Sequence, residues 1–279
     1  MREVSVTLIE QKIAEAVQEI NFEYNSSIFD LIQVARNTET EPNAQKILDI
    51  LIENAAIASK EQIPICQDTG MVVIFVKLGQ EVKLIGGSFN DAIQKGVARG
   101  YKEGYLRNSI VADPLFKRDN TQNNTPAIIY TQIVEGDRIE LSISCKGFGS
   151  ENMSNIKMLY PAKGLAGVKN FVLETVKKAG ASACPPMVIG VGIGGTFDYV
   201  AVLAKQALLT DKPNANPLYR QLEEELLEEI NELGIGPQGL GGSTTALMVR
   251  IVDFPTHIAG LPVAVNISCH INRHREIII

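Results

Sequence analysis

The chain has 279 residues, 45% of them hydrophobic and 21% charged, with a formal net charge of -6; that length and balance suit an ordinary globular protein with a substantial core. An acidic chain without a dense Lys/Arg run lacks the phosphate-neutralising surface on which nucleic-acid affinity rests. No apolar stretch is long enough to span a bilayer, and the N-terminal MREVSVTLIEQKIAEAVQEI lacks the apolar core of a signal peptide. The expectation is a cytoplasmic protein with no nucleic-acid and no membrane partner, its four cysteines reduced rather than paired.

Val6, Ile9, Ile13, Ala16, Val17 and Ile20 fall mostly at three- and four-residue steps, and similar spacing recurs from Ile47 to Ile57, so the first sixty residues read as helices. MVVIFVKL, from Met71, reads as a strand. A helix capped by Asn90 or a neighbour then runs through DAIQKGVARGYKEGYLR to near Arg107. After the Asn- and Thr-rich stretch 113–126, AIIYTQIV and RIELSISC flank EGD, the pattern of a hairpin. Helical patterns over 164–179 and 216–233 bracket CPPMVIGVGIGGTFDYVAVLAKQALL, which reads as strand, glycine turn and helix. The tail PVAVNISCHINRHREIII reads as strand, and its last three isoleucines, Ile277 to Ile279, call for a buried end, at a partner or across a dimer. The fold expected is α/β of the mixed α+β kind, helix-rich at the N-terminus with helices packed around small β-sheets, and a single domain over 1–279. The chain order shows no clean βαβαβ alternation, so a Rossmann sheet is not expected.

Three cysteines sit in loops of unusual composition: Cys66 before Gln-Asp-Thr-Gly, Cys184 before Pro-Pro, and Cys269 before His270. They are 118 (184 − 66) and 85 (269 − 184) residues apart. The paired spacing of a structural zinc site is missing. Iron-sulfur clusters take thiolates from separate loops, and a neighbouring proline turns the chain and removes a backbone donor; isolated cysteines otherwise serve as small buried hydrophobes. GVGIGG at 190–195 lacks the GxGxxG order of a dinucleotide site but suits a strand-to-helix turn whose amides face an anion. GPQGLGGSTT at 236–245 offers amides and hydroxyls suited to a carboxylate or to loop packing. His257, held between prolines in DFPTHIAGLP, is the candidate acid, base or substrate-orienting group among three histidines. Arg107 can pair a carboxylate bidentately or simply end a helix.

Several stretches, in order, resemble the iron-sulfur class I fumarate hydratase family, in its N-terminal domain or separate alpha subunit, a family shared with L-tartrate dehydratase: PICQDTG at 64–70, LRNSIVADPL at 106–115, NTPAIIY at 124–130, KGFGSEN at 146–152, ACPP with IGGT within 183–196, and GLGGSTTALMVRIVDFPTHIAGLPVAVNISCH at 239–270. The resemblance implies a [4Fe-4S] cluster on Cys66, Cys184 and Cys269, in loops at strand ends, with one iron left open as a Lewis acid. It also implies a substrate site that includes Gln67, Asp68, Arg107, Gly149 and His257. Asp68 and His257 are then the catalytic pair, Cys145 is a bystander, and Phe148 narrows the pocket. The implied reaction is the reversible hydration of fumarate to L-malate, with L-tartrate dehydration as the alternative; a non-catalytic iron-sulfur subunit and a zinc hydrolase are the readings from other classes. The chain ends shortly after Cys269, so a beta subunit is expected to bring the catalytic Thr and further Arg and Lys contacts, with the dicarboxylate as small-molecule partner and a dimer of heterodimers as the assembly.

Overall fold

A computed structural model describes all 279 residues, which divide into two compact units: residues 1–25, 54–147 and 273–279 form the first, and 26–53 with 148–272 form the second. No helix is long and apolar enough to cross a membrane.

In the first unit the N-terminal rhythm becomes α1 (Val6–Phe22), which Ser5 opens by accepting the Thr7 N–H. The short strand β1 (Arg2–Ser5) precedes it and pairs in parallel with β3 (Val82–Ile85). α2 (Ser26–Thr38) belongs to the second unit, and α3 (Pro42–Glu61) runs from the second unit's residues into the first's. The apolar run from Met71 is β2 (Met71–Gly79), and α4 (Phe89–Glu103) is capped by Ser88, whose side chain accepts the Asp91 N–H. α1 and α4 cover a four-stranded sheet; their apolar faces meet Val72, Ile74, Ile139, Leu141 and Ile143 in one core.

The EGD segment does not make the expected hairpin. β4 (Ile128–Val134) pairs in parallel with β2, while β5 (Ile139–Lys146) pairs antiparallel with it from the other side, so the sheet order is β10-β5-β2-β4. β2 is apolar nearly throughout rather than alternating, the pattern of a strand buried on both faces, and it lies inside the sheet between β4 and β5. The 135–138 loop crosses its end instead, giving the Arg138 carbonyl to Gly79 N and the Gly136 carbonyl to Glu81 N, while Val134 O at the end of β4 accepts from Gln80 N. The tail is likewise two strands: its last part, β10 (His274–Ile278), pairs with β5, and the Ile139 and Ile279 backbones exchange hydrogen bonds of 2.9 and 2.8 Å. Ile277 and Ile279 pack on the same core, which answers the apolar end within the chain itself.

The second unit is built on the mixed sheet β6-β9-β7-β8. α5 (Phe148–Glu151) and β6 (Asn155–Leu159) lead to α6 (Gly164–Ala179), then β7 (Met187–Gly195), α7 (Tyr199–Ala207), α8 (Pro217–Asn231), β8 (Ala246–Thr256) and β9 (Leu261–Ser268). β7 runs parallel to β8 and antiparallel to β9. The glycines of GVGIGG all lie inside β7 rather than forming an anion-binding turn. Side chains alternate across a strand, so Ile189, Val191 and Ile193 enter the core beneath α6 and α8 while Gly190 and Gly192 face α7. A Cβ at either glycine would lie 2.2 Å from an α7 carbonyl, Ala204 O or Val200 O, so their bareness is what lets α7 rest on the strand.

Candidate functional site

In the first unit the loop between α3 and β2 carries Cys66, Gln67 and Asp68. It is gripped at Ile65, whose N–H donates to Asn21 O (2.9 Å) and whose carbonyl accepts from Asn54 Nδ2 (3.0 Å). Fixed there, the chain leaves Cys66 half-buried and Gln67 exposed. Asp68 turns back on the backbone, Oδ1 accepting the Gly70 N–H at 3.0 Å. Its other oxygen faces Gly147, where a Cβ would lie 3.0 Å from Oδ2.

Thr69 ties this loop to the next candidate: its hydroxyl donates to Arg107 O at 2.8 Å, while the Arg107 residue stays exposed. Buried Tyr101 directs its hydroxyl to Thr69 O and Gly70 O (2.8 and 3.0 Å). Asn124, also buried, donates to Gly70 O (3.0 Å) and accepts from Ser109 N (2.7 Å). The first unit thus brings together Cys66, Gln67, Asp68 and Arg107. Sequence reasoning had no role for Thr69, Tyr101 or Asn124; the polar Asn124 inside the NTPAIIY motif was the available signal.

Cys145 is a core thiol. It is buried beside Tyr101, whose hydroxyl lies 3.8 Å from Sγ, and burial pushes its pKa up, against the pull of Arg273 and the Tyr101 hydrogen bond. That environment disfavours the thiolate a metal needs.

In the second unit Cys184 precedes β7 and Cys269 follows β9. Because these neighbouring strands are antiparallel, with Val188 opposite Ser268, both cysteines leave the same end of the sheet. Cys184 holds a left-handed backbone (φ 53°) and donates its N–H to Ala181 O at 3.0 Å. Pro185 O accepts from Gln238 N (2.7 Å) and Gln238 Nε2 (2.9 Å), and Met187 N donates to Thr245 O (2.9 Å), so the 236–245 loop is laced to the cysteine loop. Past Cys269, Asn272 donates its N–H to Cys269 O (3.2 Å) and its Nδ2 to Leu208 O (2.9 Å).

Gly149 belongs to α5 at this same end, where its missing Cβ would meet only Ser182 O, at 3.9 Å. α5 is pinned through Glu151, which takes Lys205 Nζ (2.5 Å) on one oxygen and Asn266 Nδ2 (2.8 Å) on the other. Phe148, beginning α5, is about half exposed.

The GPQGLGGSTT loop does bind a carboxylate, and it is the chain's own. Glu39, 2% exposed, accepts the Ser243 and Thr244 N–H groups and the Thr244 hydroxyl, each at 3.0 Å on Oε2, and the Thr40 N–H at 3.0 Å on Oε1. Burial raises its pKa, but the backbone donors of Ser243 and Glu41 and the hydroxyl of Thr244 outweigh it and hold the carboxyl at about 2.

His257 stands apart. It sits in the turn joining β8 to β9, its Nδ1 accepting the Ala259 N–H at 3.2 Å and its carbonyl the Gly260 N–H at 2.9 Å. That turn closes the end of the sheet opposite Cys184 and Cys269, and the eight residues of β9 put it roughly 25 Å away from Cys269. The second unit therefore joins Gly149 to Cys184 and Cys269 but does not join His257 to them.

None of the four cysteines is in a disulfide, and Cys66, Cys184 and Cys269 lie on loops at strand ends. Neither unit by itself gathers three His, Cys, Asp or Glu side chains into a metal-holding group; one loop thiol belongs to the first unit and two to the second. Thiols from separate loops, with no CxxC pair, match the donor set of a thiolate-held metal group better than a zinc clip.

The chain is mixed α/β, with three loop cysteines outside any disulfide, a carboxylate turned on its own backbone and an exposed arginine. The chain belongs to the fumarate hydratase (Fumerase) family, whose model matches residues 10–278. It is 40% identical over 282 residues, 95% of each chain, to a protein of Methanocaldococcus jannaschii that carries the name L(+)-tartrate dehydratase subunit alpha as a provisional assignment. It is also 30% identical to the L(+)-tartrate dehydratase subunit alpha of Escherichia coli strain UTI89, over 98% of this chain and 91% of that one. Both enzyme names denote the addition or removal of water, so the family is one of hydro-lyases.

Proposed function

We propose that this chain is the alpha subunit of a two-subunit [4Fe-4S] hydro-lyase that adds water reversibly to fumarate to give L-malate, with Cys66, Cys184 and Cys269 as the cluster ligands. The observation that carries the proposal is the placement of these thiols. Cys184 and Cys269 leave one end of adjacent strands beside Gly149, and Cys66 leads the loop that holds Asp68 and Arg107. When bound, such a cluster supplies a Lewis acid for the substrate's hydroxyl.

The chain's own residues then divide the remaining work. With Oδ1 accepting the Gly70 N–H, Asp68 moves the proton at the adjacent carbon through Oδ2. Arg107, its carbonyl fixed by Thr69, extends its guanidinium to one substrate carboxylate, a fork that suits bidentate pairing. Gln67 donates beside it, and the Gly149 N–H stabilises charge that develops on a carboxylate. His257 takes no step within one chain, because the sheet holds it away from the cysteine end. A beta subunit, supported by the name "subunit alpha" of the relatives, completes the site.

A second reading is favoured by the same names: L(+)-tartrate as the substrate, which differs from malate by one hydroxyl. The test is anaerobic purification with the second subunit, iron and acid-labile sulfide analysis, and parallel assays on fumarate and L(+)-tartrate. Matching iron and sulfide, a visible band that bleaches in air, and turnover of fumarate are expected. Turnover of L(+)-tartrate alone replaces the substrate; stoichiometric zinc, or no metal, overturns the cluster.

A further inference from the structure

α5 is a single turn, too short to be stable as a helix by itself, yet it carries Gly149, whose N–H the proposed reaction uses. A closed polar ring drawn from two neighbouring elements holds it. Glu151, the last residue of the turn, accepts from Lys205 Nζ of α7 on Oε1 (2.5 Å) and from Asn266 Nδ2 of β9 on Oε2 (2.8 Å). Asn266 Oδ1 completes the ring by accepting from the same Lys205 Nζ at 3.4 Å. The second hydrogen of the Asn266 amide goes to Ser154 Oγ at 2.8 Å, and that hydroxyl also accepts the Ile267 N–H at 3.1 Å. With its oxygen and both its hydrogens engaged, the buried Asn266 amide has one orientation.

We propose that Lys205 and Asn266 are positioning residues of the hydro-lyase: through Glu151 they fix where α5 presents the Gly149 N–H relative to Cys269. The inference rests on the function proposed above. Glu151 lies in the same turn as Gly149, two residues on, so a shift of its carboxylate carries the amide with it. Asn266 lies three residues before Cys269, which makes β9 the common reference for the amide and the thiol. Packing does not hold Glu151 from every side, because a cavity of about 250 Å³ borders the ring, lined also by Ala201, Ala204 and Ala264. Nor does stability alone call for charges here. Apolar side chains in place of a largely buried ion pair are often as stable or more so, whereas a fully satisfied polar network dictates one geometry. A displacement of about 1 Å at a reacting centre is enough to slow a reaction substantially.

The test compares Lys205→Met, Glu151→Gln and the conservative Lys205→Arg in the two-subunit enzyme, by steady-state kinetics, iron and sulfide analysis, and amide hydrogen exchange over residues 148–154. Lys169→Met serves as the comparison: Lys169 is a similarly sheltered lysine, paired with Glu225 and Glu229 between α6 and α8. Because the Gly149 N–H meets charge that develops during the reaction, Lys205→Met and Glu151→Gln are expected to lower kcat on the order of 10- to 100-fold with KM nearly unchanged. Exchange over 148–154 is expected to speed up on the order of tenfold in both, with iron and sulfide retained. Lys205→Arg is expected to recover most of the rate, and Lys169→Met to leave kcat and that exchange as in wild type. An unchanged kcat in both Lys205→Met and Glu151→Gln, unchanged exchange, or no recovery in Lys205→Arg overturns the inference. So does an equal fall of kcat in Lys169→Met, which would make the effect one of general stability. A cluster-loaded wild type that turns over neither fumarate nor L(+)-tartrate removes the reaction itself, a failure distinct from these because no variant is involved.

Discussion

Asp68 and Arg273 close on one point of the backbone: a Cβ on Gly147 would lie 3.0 Å from Asp68 Oδ2 and 3.2 Å from Arg273 Nη2. Neither can retreat easily. Arg273 is buried with Nη1 donating to Asn21 Oδ1 at 2.9 Å, and Asp68 accepts from Gly70 N. Gly147→Ala is therefore expected to displace the Asp68 carboxylate. The neighbours are side-chain tips rather than backbone, so the stability cost is at the low end of overpacking, about 1 kcal/mol. If Asp68 moves the proton, kcat of the two-subunit enzyme falls on the order of 100-fold, the low end for general acid-base catalysis. Assays of kcat beside thermal melts check this; a full kcat with the same melting point would remove Asp68 from the proton step.

The cysteines should separate by environment. Cys66→Ser, Cys184→Ser and Cys269→Ser are each expected to lose iron and sulfide together with activity, while melting close to the unreconstituted wild type, because none of the three is buried in a core. Cys145→Ser is expected to do the reverse. It keeps the metal but places a hydroxyl in the core under Tyr101, costing on the order of 1–3 kcal/mol in urea unfolding. Iron and sulfide analysis of the four variants decides the ligand set, and metal retained in Cys184→Ser would break it.

The helices were legible because burial writes itself along a helix every three or four residues: Ile9, Ile13, Val17 and Ile20 are the buried stripe of α1 as read. Pairing between strands was not. AIIYTQIV and RIELSISC are near neighbours in sequence, yet β2 lies between them, and nothing local records that a third strand needs two partners. The glycines misled for a related reason. Gly190 and Gly192 obey the alternation of a strand, which is also the spacing of a phosphate loop, and only the approach of α7 tells them apart. In the 236–245 loop the chemistry was legible and its object was not: the carboxylate it binds, Glu39, lies some 200 residues earlier, 204 from Ser243. The residues quoted for the cysteines and for Arg107 stand in loops fixed by Thr69, Tyr101 and Asn21, whose role is visible only once those loops are folded.

His257 tests whether a motif position implies a catalytic one. His257→Ala removes the acceptor for the Ala259 N–H and alters the rim of an apolar pocket, but it leaves the cysteine end of the sheet untouched. Iron and sulfide are expected to stay at wild-type levels. The kcat of the two-subunit enzyme is expected to stay near wild type. Activity assays beside iron and sulfide analysis check this, and a fall in kcat with iron and sulfide retained would return His257 to the chemistry.

Glu39 gives the fold a pH dependence whose sign is fixed. Its carboxyl lies at about 2 in the folded chain against 4.5 for the ordinary group, so the unfolded chain binds the proton more readily. The stabilisation is complete above about pH 4.5 and disappears as pH falls through about 2. The difference of about 2.5 units (4.5 − 2) corresponds to about 3 kcal/mol, of which about 2 is gone by pH 3. Glu223 works in the opposite sense. Burial raises its pKa despite the N–H groups of Ile251 and Asn214, so its share of stability grows as pH falls through its folded pKa and offsets part of the loss. The wild-type curve alone therefore understates Glu39, and the informative quantity is the difference from Glu39→Gln. That variant keeps the shape but turns an amide towards the Ser243 and Thr244 donors. Urea unfolding at pH 7 is expected to show the variant less stable by about 3 kcal/mol. At pH 3 the gap should shrink to about 1 kcal/mol. A gap that stays constant across that window would mean that Glu39 does not ionise differently in the folded and unfolded chains.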